Sequence, residues 1–129
     1  MKSRVEIRFE VEDKLPPVFG VPDRLQQAVL NLMLNAIQAM PQGGSVVLHA
    51  TSSNGLVRVS VTDSGPGLPQ DLAEKLFDTR VTTKPGGSGL GLPLVRMIAE
   101  AHGGSVWYRS DAGQGATFTL VLPSAREAA

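Results

Sequence analysis

The chain has 129 residues, a length that suits one domain with a single packed core. Apolar residues make up 42% of it and charged residues 19%, a globular composition that excludes intrinsic disorder. Lys plus Arg equal Asp plus Glu at 12 each, so charge offers no pull toward nucleic acid or an anionic membrane; the lack of cysteine excludes disulfides and thiolate chemistry and fits a reducing, cytoplasmic setting.

No secretion signal is visible, and the apolar runs are far shorter than a membrane span. Val5, Ile7, Phe9 and Val11 alternate with Glu6, Arg8 and Glu10, which predicts a strand with one wet face. Lys14 to Pro17 reads as a loop and Val18 to Val21 as a brief strand. From Pro22 to Met40, Leu25, Ala28, Val29, Leu32, Met33, Ala36, Ile37 and Met40 recur at helical spacing, forming an apolar face expected to lie on a sheet. Pro22 pre-sets the first turn, Asp23 puts negative charge near the positive helix end, and Pro41 with Gly43 and Gly44 stops the helix. Asn31, Asn35 and Gln38 follow at i, i+4 and i+7, so three carboxamides line one flank of that face. Such groups either cap a neighbouring loop or stand in water, or they face a polar ligand with oxygens available to a hard cation such as Mg²⁺.

Val46, Leu48 and Ala50, then Val57, Val59 and Val61, form two alternating runs joined through Asn54-Gly55, a hairpin signature. Asp63 closes the second run and opens the turn DSGPG, Asp63 to Gly67. Read alone, this is either an ordinary reversal or a place where Gly65 and Gly67 let a flat ring approach while Asp63 accepts a hydrogen bond from an amino group. Gln70 to Phe77 reads as a short helix, and Asp78 to Ser88 has neither period. In GGSGLGL, Gly86 to Leu92, glycines stand immediately before a helix; its free N–H groups could hold phosphate oxygens, or the glycines only allow a sharp turn. The spacing Gly87-x-Gly89-x-Gly91 is not a dinucleotide fingerprint, and Lys84 precedes the glycines instead of following them as in a Walker loop. Lys84 is therefore either a phosphate partner or a solvated loop charge.

Helical spacing returns with Leu90, Leu94, Val95, Ile98 and Ala99 and stops at Gly103-Gly104. A last hairpin joins Ser105–Ser110 to Ala116–Leu122, with Trp107 and Tyr108 read as packing residues and His49 and His102 as structural or surface groups. Helices interleaved with two hairpins predict an α/β fold: a mixed, mostly antiparallel sheet with helices on one face.

The order of these motifs, an Asn pair on a helix, DSGPG, Phe77 and TTK, GGSGLGL and then GQGATF, closely resembles the ATP-binding catalytic domain of bacterial sensor histidine kinases. That branch belongs to the superfamily that also holds gyrase, MutL-type repair proteins and a heat-shock chaperone. The resemblance runs from Val5 to Pro123, and LGLPLVRMIAEAHGG is similar to the nitrogen-regulation type. It implies the Bergerat ATP-binding fold, a two-layer α/β sandwich, as a single domain over residues 1–129 with a lid at 78–88. It implies ATP and Mg²⁺ as cofactors, with Asn35 as the metal ligand and Asn31 lining the pocket. Asp63 would accept from the adenine amino group, Gly65 and Gly67 would give the ring room, and Thr117 would lie close to its edge. Gly87, Ser88, Gly89, Leu90 and Gly91 would wrap the phosphates, Lys84 would reach them from the lid, and Phe77 would anchor the lid base. Gln38 stands where several members carry a basic phosphate contact.

Hydrolytic members of the superfamily carry Glu at the position of Asn31, a general base that activates water. An amide cannot take that proton at neutral pH. The resemblance therefore implies a protein-histidine kinase domain of a two-component system, with Asn31, Asn35 and Lys84 serving the transfer. It would donate the γ-phosphate of Mg-ATP to a histidine on a separate helical dimerisation domain, and indirectly serve a response regulator. Neither His49 nor His102 has the context of such an acceptor, so the chain alone is expected to bind nucleotide without phosphorylating itself, to be monomeric, and to touch neither nucleic acid nor membrane. The alternatives are a serine kinase of a regulatory protein, an ATP-driven conformational clamp, and a non-catalytic nucleotide-binding module.

Overall fold

The computed structural model describes residues 4–67, 71, 75, 77, 91–110 and 115–125. In chain order these form β1 (Val5–Val11), α1 (Pro22–Gln38), β2 (Gly44–Ser53), β3 (Leu56–Asp63), α2 (Gly91–Ala101), β4 (Ser105–Ser110) and β5 (Ala116–Pro123). The strands make one sheet in the order β1-β2-β3-β5-β4. β1 runs parallel to β2 and every other pairing is antiparallel. The two helices lie side by side over β2 to β5, so the expected two-layer α/β sandwich with a mixed, mostly antiparallel sheet is the architecture observed.

Local chemistry sets the elements. Asn54 and Gly55 both have positive φ, 52° and 77°, the two-residue turn that pairs Ser53 with Leu56 and fixes the β2–β3 register. Alternation then carries Val46, Leu48, Val61, Phe118, Leu120 and Leu122 to the helix side, where they are buried. The opposite face is open, and across it Ser60 pairs with Thr119 at 3.0 Å and Thr62 with Thr117 at 2.9 Å, hydroxyl to hydroxyl.

α1 buries Ala28, Leu32 and Ala36, with Leu25, Val29, Met33 and Ile37 packed against the same core. Its N-cap is Val21, which has no side-chain cap to offer. Burial of each large aliphatic side chain contributes roughly 1.5–3 kcal/mol, against about 1 kcal/mol for a cap, so packing of Leu32 outweighs the missing cap. The helix closes at Gln38, two residues before the expected Met40, because the Met40 N–H switches to the Ile37 carbonyl in a tighter final turn ahead of Pro41. Met40 is still buried.

Three expectations need correction. Val18 to Val21 is not a strand; the Val21 N–H is donated to His102 Nε2 instead of to a sheet. β1 is a strand, but its apolar side is not covered: Ile7, Phe9 and Val11 are exposed, Phe9 by 63%, because β1 is the sheet edge beyond the helices. Trp107 and Tyr108 take opposite faces, so only Tyr108 packs, 4.8 Å from the Phe118 ring, while Trp107 is 64% exposed. Of the helix expected at 70–77, the described Asp71 and Lys75 are helical, and Phe77 is buried edge-on to Phe118.

Candidate functional site

Asp63 ends β3 on the helix side of the sheet and is 4% exposed. Gly65 donates its N–H to Oδ1 at 2.8 Å, and Ala116, the register partner of Asp63 on β5, brings a second backbone N–H near enough to favour the charged carboxylate. Burial pushes the carboxyl up from its ordinary range, and the two N–H groups only partly offset this. A carboxylate with two backbone donors keeps further lone pairs, so Asp63 can still accept from a ligand.

Glycines surround it for lack of room. A Cβ at Gly65 would lie 3.1 Å from both Asp63 Oδ1 and Met40 Cγ. Gly115, at φ 89°, sits on the Asp63 carbonyl, where a Cβ would come within 2.0 Å of the oxygen. Ser64 pins the turn, exchanging backbone and hydroxyl hydrogen bonds with the Ser45 main chain.

Asn31 and Asn35 occupy the partly buried flank of α1. Asn35 Nδ2 donates to the Asn31 carbonyl at 2.7 Å, which fixes the carboxamide and leaves its oxygen as the outward acceptor. Gly91, the first residue of α2, lies against Asn31, a Cβ there being 3.4 Å from the Asn31 side chain. At the C-terminal end of α1 Gly65 lies under the Ala39 carbonyl. Asn31 and Ala39 are about 12 Å apart along the axis of α1, a length that can lay out a base and its phosphate chain. The structure thus brings Asn31, Asn35, Asp63, Gly65 and Gly91 to one edge of the helix layer. Gly67 is in the same turn as Gly65, while Gln38 is exposed at the end of α1. Lys84, Gly87, Ser88, Gly89 and Leu90, and the expected lid 78–88, lie outside the described residues.

Thr117 does not join them. It pairs with Thr62 and its hydroxyl bonds Thr62 on the open face of the sheet, whereas Asp63 and Ala116 point to the helix side. The residue beside Asp63 is therefore Ala116, one position earlier. The run Ala116, Phe118, Leu120, Leu122 carried this signal: its apolar phase turns Thr117 outward. Sequence reasoning also passed over Ser110, whose hydroxyl donates to the Gly115 carbonyl at 3.0 Å.

The fold is a two-layer α/β sandwich with Asp63 and the two asparagines on one edge of its helix layer. The chain belongs to the family of histidine kinase-, DNA gyrase B- and HSP90-like ATPases, whose model matches residues 20–126. It is 47% identical over 119 residues to the sensor histidine kinase ZraS of Escherichia coli K12, covering 92% of this chain and 26% of that protein. The nucleotide-free catalytic domain of histidine kinase ThkA superposes with a TM-score of 0.84 at 36% identity, covering 93% of this chain and 79% of that one. Full-length ShkA in complex with AMPPNP gives 0.82 at 37% identity, covering 93% and 26%. The chain thus spans about a quarter of the length of its sensor-kinase relative. Among the described residues no helix is long and apolar enough to cross a membrane.

Proposed function

We propose that this domain binds Mg-ATP along the α1 flank and presents the γ-phosphate to a histidine on a separate helical dimerisation domain, as the phosphotransfer step of a two-component sensor kinase. The observation that carries this reading is the buried Asp63 carboxylate, bonded by the Gly65 N–H beside the C-terminal end of α1, with Asn31 packed against Gly91 two turns back along the same helix. Asp63 accepts from the adenine amino group; Gly65 and Gly67 shape the turn beside it, where the space a side chain would take is filled by Asp63, Met40 and Ser110 and not by the ring. Asn35 suits Mg²⁺ because its amide nitrogen is committed to the Asn31 carbonyl, leaving one hard oxygen, and Mg²⁺ takes few protein ligands alongside phosphates. When bound, the ion neutralises charge on the phosphate chain.

Asn31 lines the phosphate end without a basic atom, so water is not activated and hydrolysis by the domain alone is slow. The chain's own contribution is positioning and exclusion of water. Lys84, Gly87, Ser88, Gly89, Leu90 and Gly91 are assigned to the phosphates on their motif, and Gln38, exposed at the helix end, to the rim. A downstream response regulator completes the proposed pathway.

Calorimetric titration with ADP and a non-hydrolysable ATP analogue, with GTP as control and Mg²⁺ varied, tests the binding. Adenine-selective, Mg²⁺-sensitive binding by the parent and its loss in Asp63→Asn are expected. Radiolabel transfer from ATP to a histidine-bearing helical domain supplied in trans then tests the chemistry. Binding that ignores the base, or that survives Asp63→Asn unchanged, would falsify the placement of the site.

A further inference from the structure

Ser110 closes β4 opposite Ala116. Its hydroxyl donates to the Gly115 carbonyl at 3.0 Å. That carbonyl and the Ala116 N–H belong to one peptide unit, which the strand register sets directly against Asp63, with Gly115 on the Asp63 main chain and the Ala116 N–H favouring the charged carboxylate. The same hydroxyl fills the space beside Gly67, at φ 76°, where a Cβ would lie 2.0 Å from Oγ. One small polar side chain therefore touches both glycine turns and fixes the plane of the peptide that addresses Asp63. A hydrogen bond accepted at a peptide oxygen polarises the unit and strengthens the bond its N–H donates.

We infer that Ser110 is a positioning residue for base recognition: acting through the Gly115–Ala116 peptide, it orients the Asp63 carboxylate so that a base bearing an amino group is favoured over one bearing a carbonyl. The inference rests on the reading that Asp63 accepts from the adenine amino group. An ionised carboxylate can only accept, which suits an amino group and repels a carbonyl. Without the Ser110 hydroxyl the peptide plane is free to tilt, the Ala116 N–H leaves its line to the carboxylate, and that preference weakens.

The test is calorimetric titration of the parent chain, Ser110→Ala and Ser110→Thr with ADP and with inosine diphosphate, which carries a carbonyl where adenine carries its amino group. Equal binding of the two nucleotides by the parent overturns the underlying reading, whatever the variants do. With a selective parent, Ser110→Ala is expected to lose about fivefold in ADP affinity, the worth of one neutral hydrogen bond, with inosine diphosphate little changed. Ser110→Thr, which keeps the hydroxyl, is expected to keep the selectivity. Equal loss for both nucleotides, or no loss, in Ser110→Ala overturns the role of Ser110, as does a threonine variant no more selective than the alanine one. The ratio of the two affinities does not depend on the fraction of molecules folded, so a partly unfolded variant still decides the question.

Discussion

His102 Nε2 accepts the N–H of Val21 at 3.1 Å while Nδ1 donates to the Ile98 carbonyl at 2.7 Å, so a single imidazole ties the end of α2 to the start of α1. Because a carbonyl can only accept, the proton belongs on Nδ1 and the lone pair on Nε2. Gly20 lies flat against this ring, and a Cβ there would stand 2.4 Å from His102 Cδ2. The helix that carries the asparagines is thus anchored at its start by a residue remote from them in sequence.

Gly20→Ala is expected to cost about 1–3 kcal/mol of stability, the range for overpacking a tight contact. In a His102→Ala background the same change should cost little, since the ring it strikes is gone. A double-mutant cycle from urea unfolding measures this coupling; an equal cost in both backgrounds would place the strain elsewhere.

Asp63 and Glu12 should give opposite pH dependences. Burial holds the Asp63 carboxyl above its ordinary value of 3.8, so its stabilisation is fully present below that value and is lost as pH rises through the folded-state pKa. The Ser52 hydroxyl and N–H hold Glu12 below its ordinary 4.5, so its stabilisation is present above that value and fades as pH falls. Relative to Asp63→Asn the parent should weaken as pH rises from the acid range, and relative to Glu12→Gln it should strengthen. Urea midpoints across acid to neutral pH check both slopes, and curves running parallel for all three proteins would refute the assignment.

Asn35→Ala should separate metal-dependent from metal-independent binding. Alanine is the better helix former, so α1 is expected to survive the change. ADP affinity in the presence of Mg²⁺ should drop at least about tenfold, the cost of even an indirect metal contact, and hardly change in chelator. The paired titrations decide; a similar drop in both conditions would make Asn35 a direct nucleotide contact.

Phe9→Lys should shift unfolding free energy by less than about 0.5 kcal/mol, as for other surface sites. Leu48→Ala, at the register partner of Phe9 on the next strand, should cost about 2–5 kcal/mol as a buried truncation. Chemical denaturation of the two variants measures how sharply the core ends between β1 and β2; a large loss for Phe9→Lys would extend the core across β1.

What could be read in advance was periodic or punctuated. The apolar stripe of α1 and the Asn54-Gly55 turn are local statements, and the chain folds as they say. Asp63 was legible because a strand end and a glycine turn announce themselves. The errors were of a different kind, about what lies across the sheet. Phe9 alternates like a buried residue, yet only the strand order shows that β1 is a sheet edge. Thr117 belongs to a motif that lies beside the site, and the phase of β5 turns its side chain away from it. His102 acts through a hydrogen bond to a segment 81 residues away, and Ser110, bonded to Gly115 across its own hairpin, also meets the distant Gly67 turn; no spacing rule encodes either.

The exposed position of Trp107, the one tryptophan of the chain, has a practical side. Its indole N–H is held by the Ser105 hydroxyl on the open face, far from the helices, so its environment is already aqueous in the native state. Indole emission should therefore shift little on unfolding and be blind to ligands at Asp63. Tyr108, locked against Phe118, is the native chromophore that loses its asymmetric surroundings when the chain melts, which makes near-ultraviolet circular dichroism the more telling optical probe.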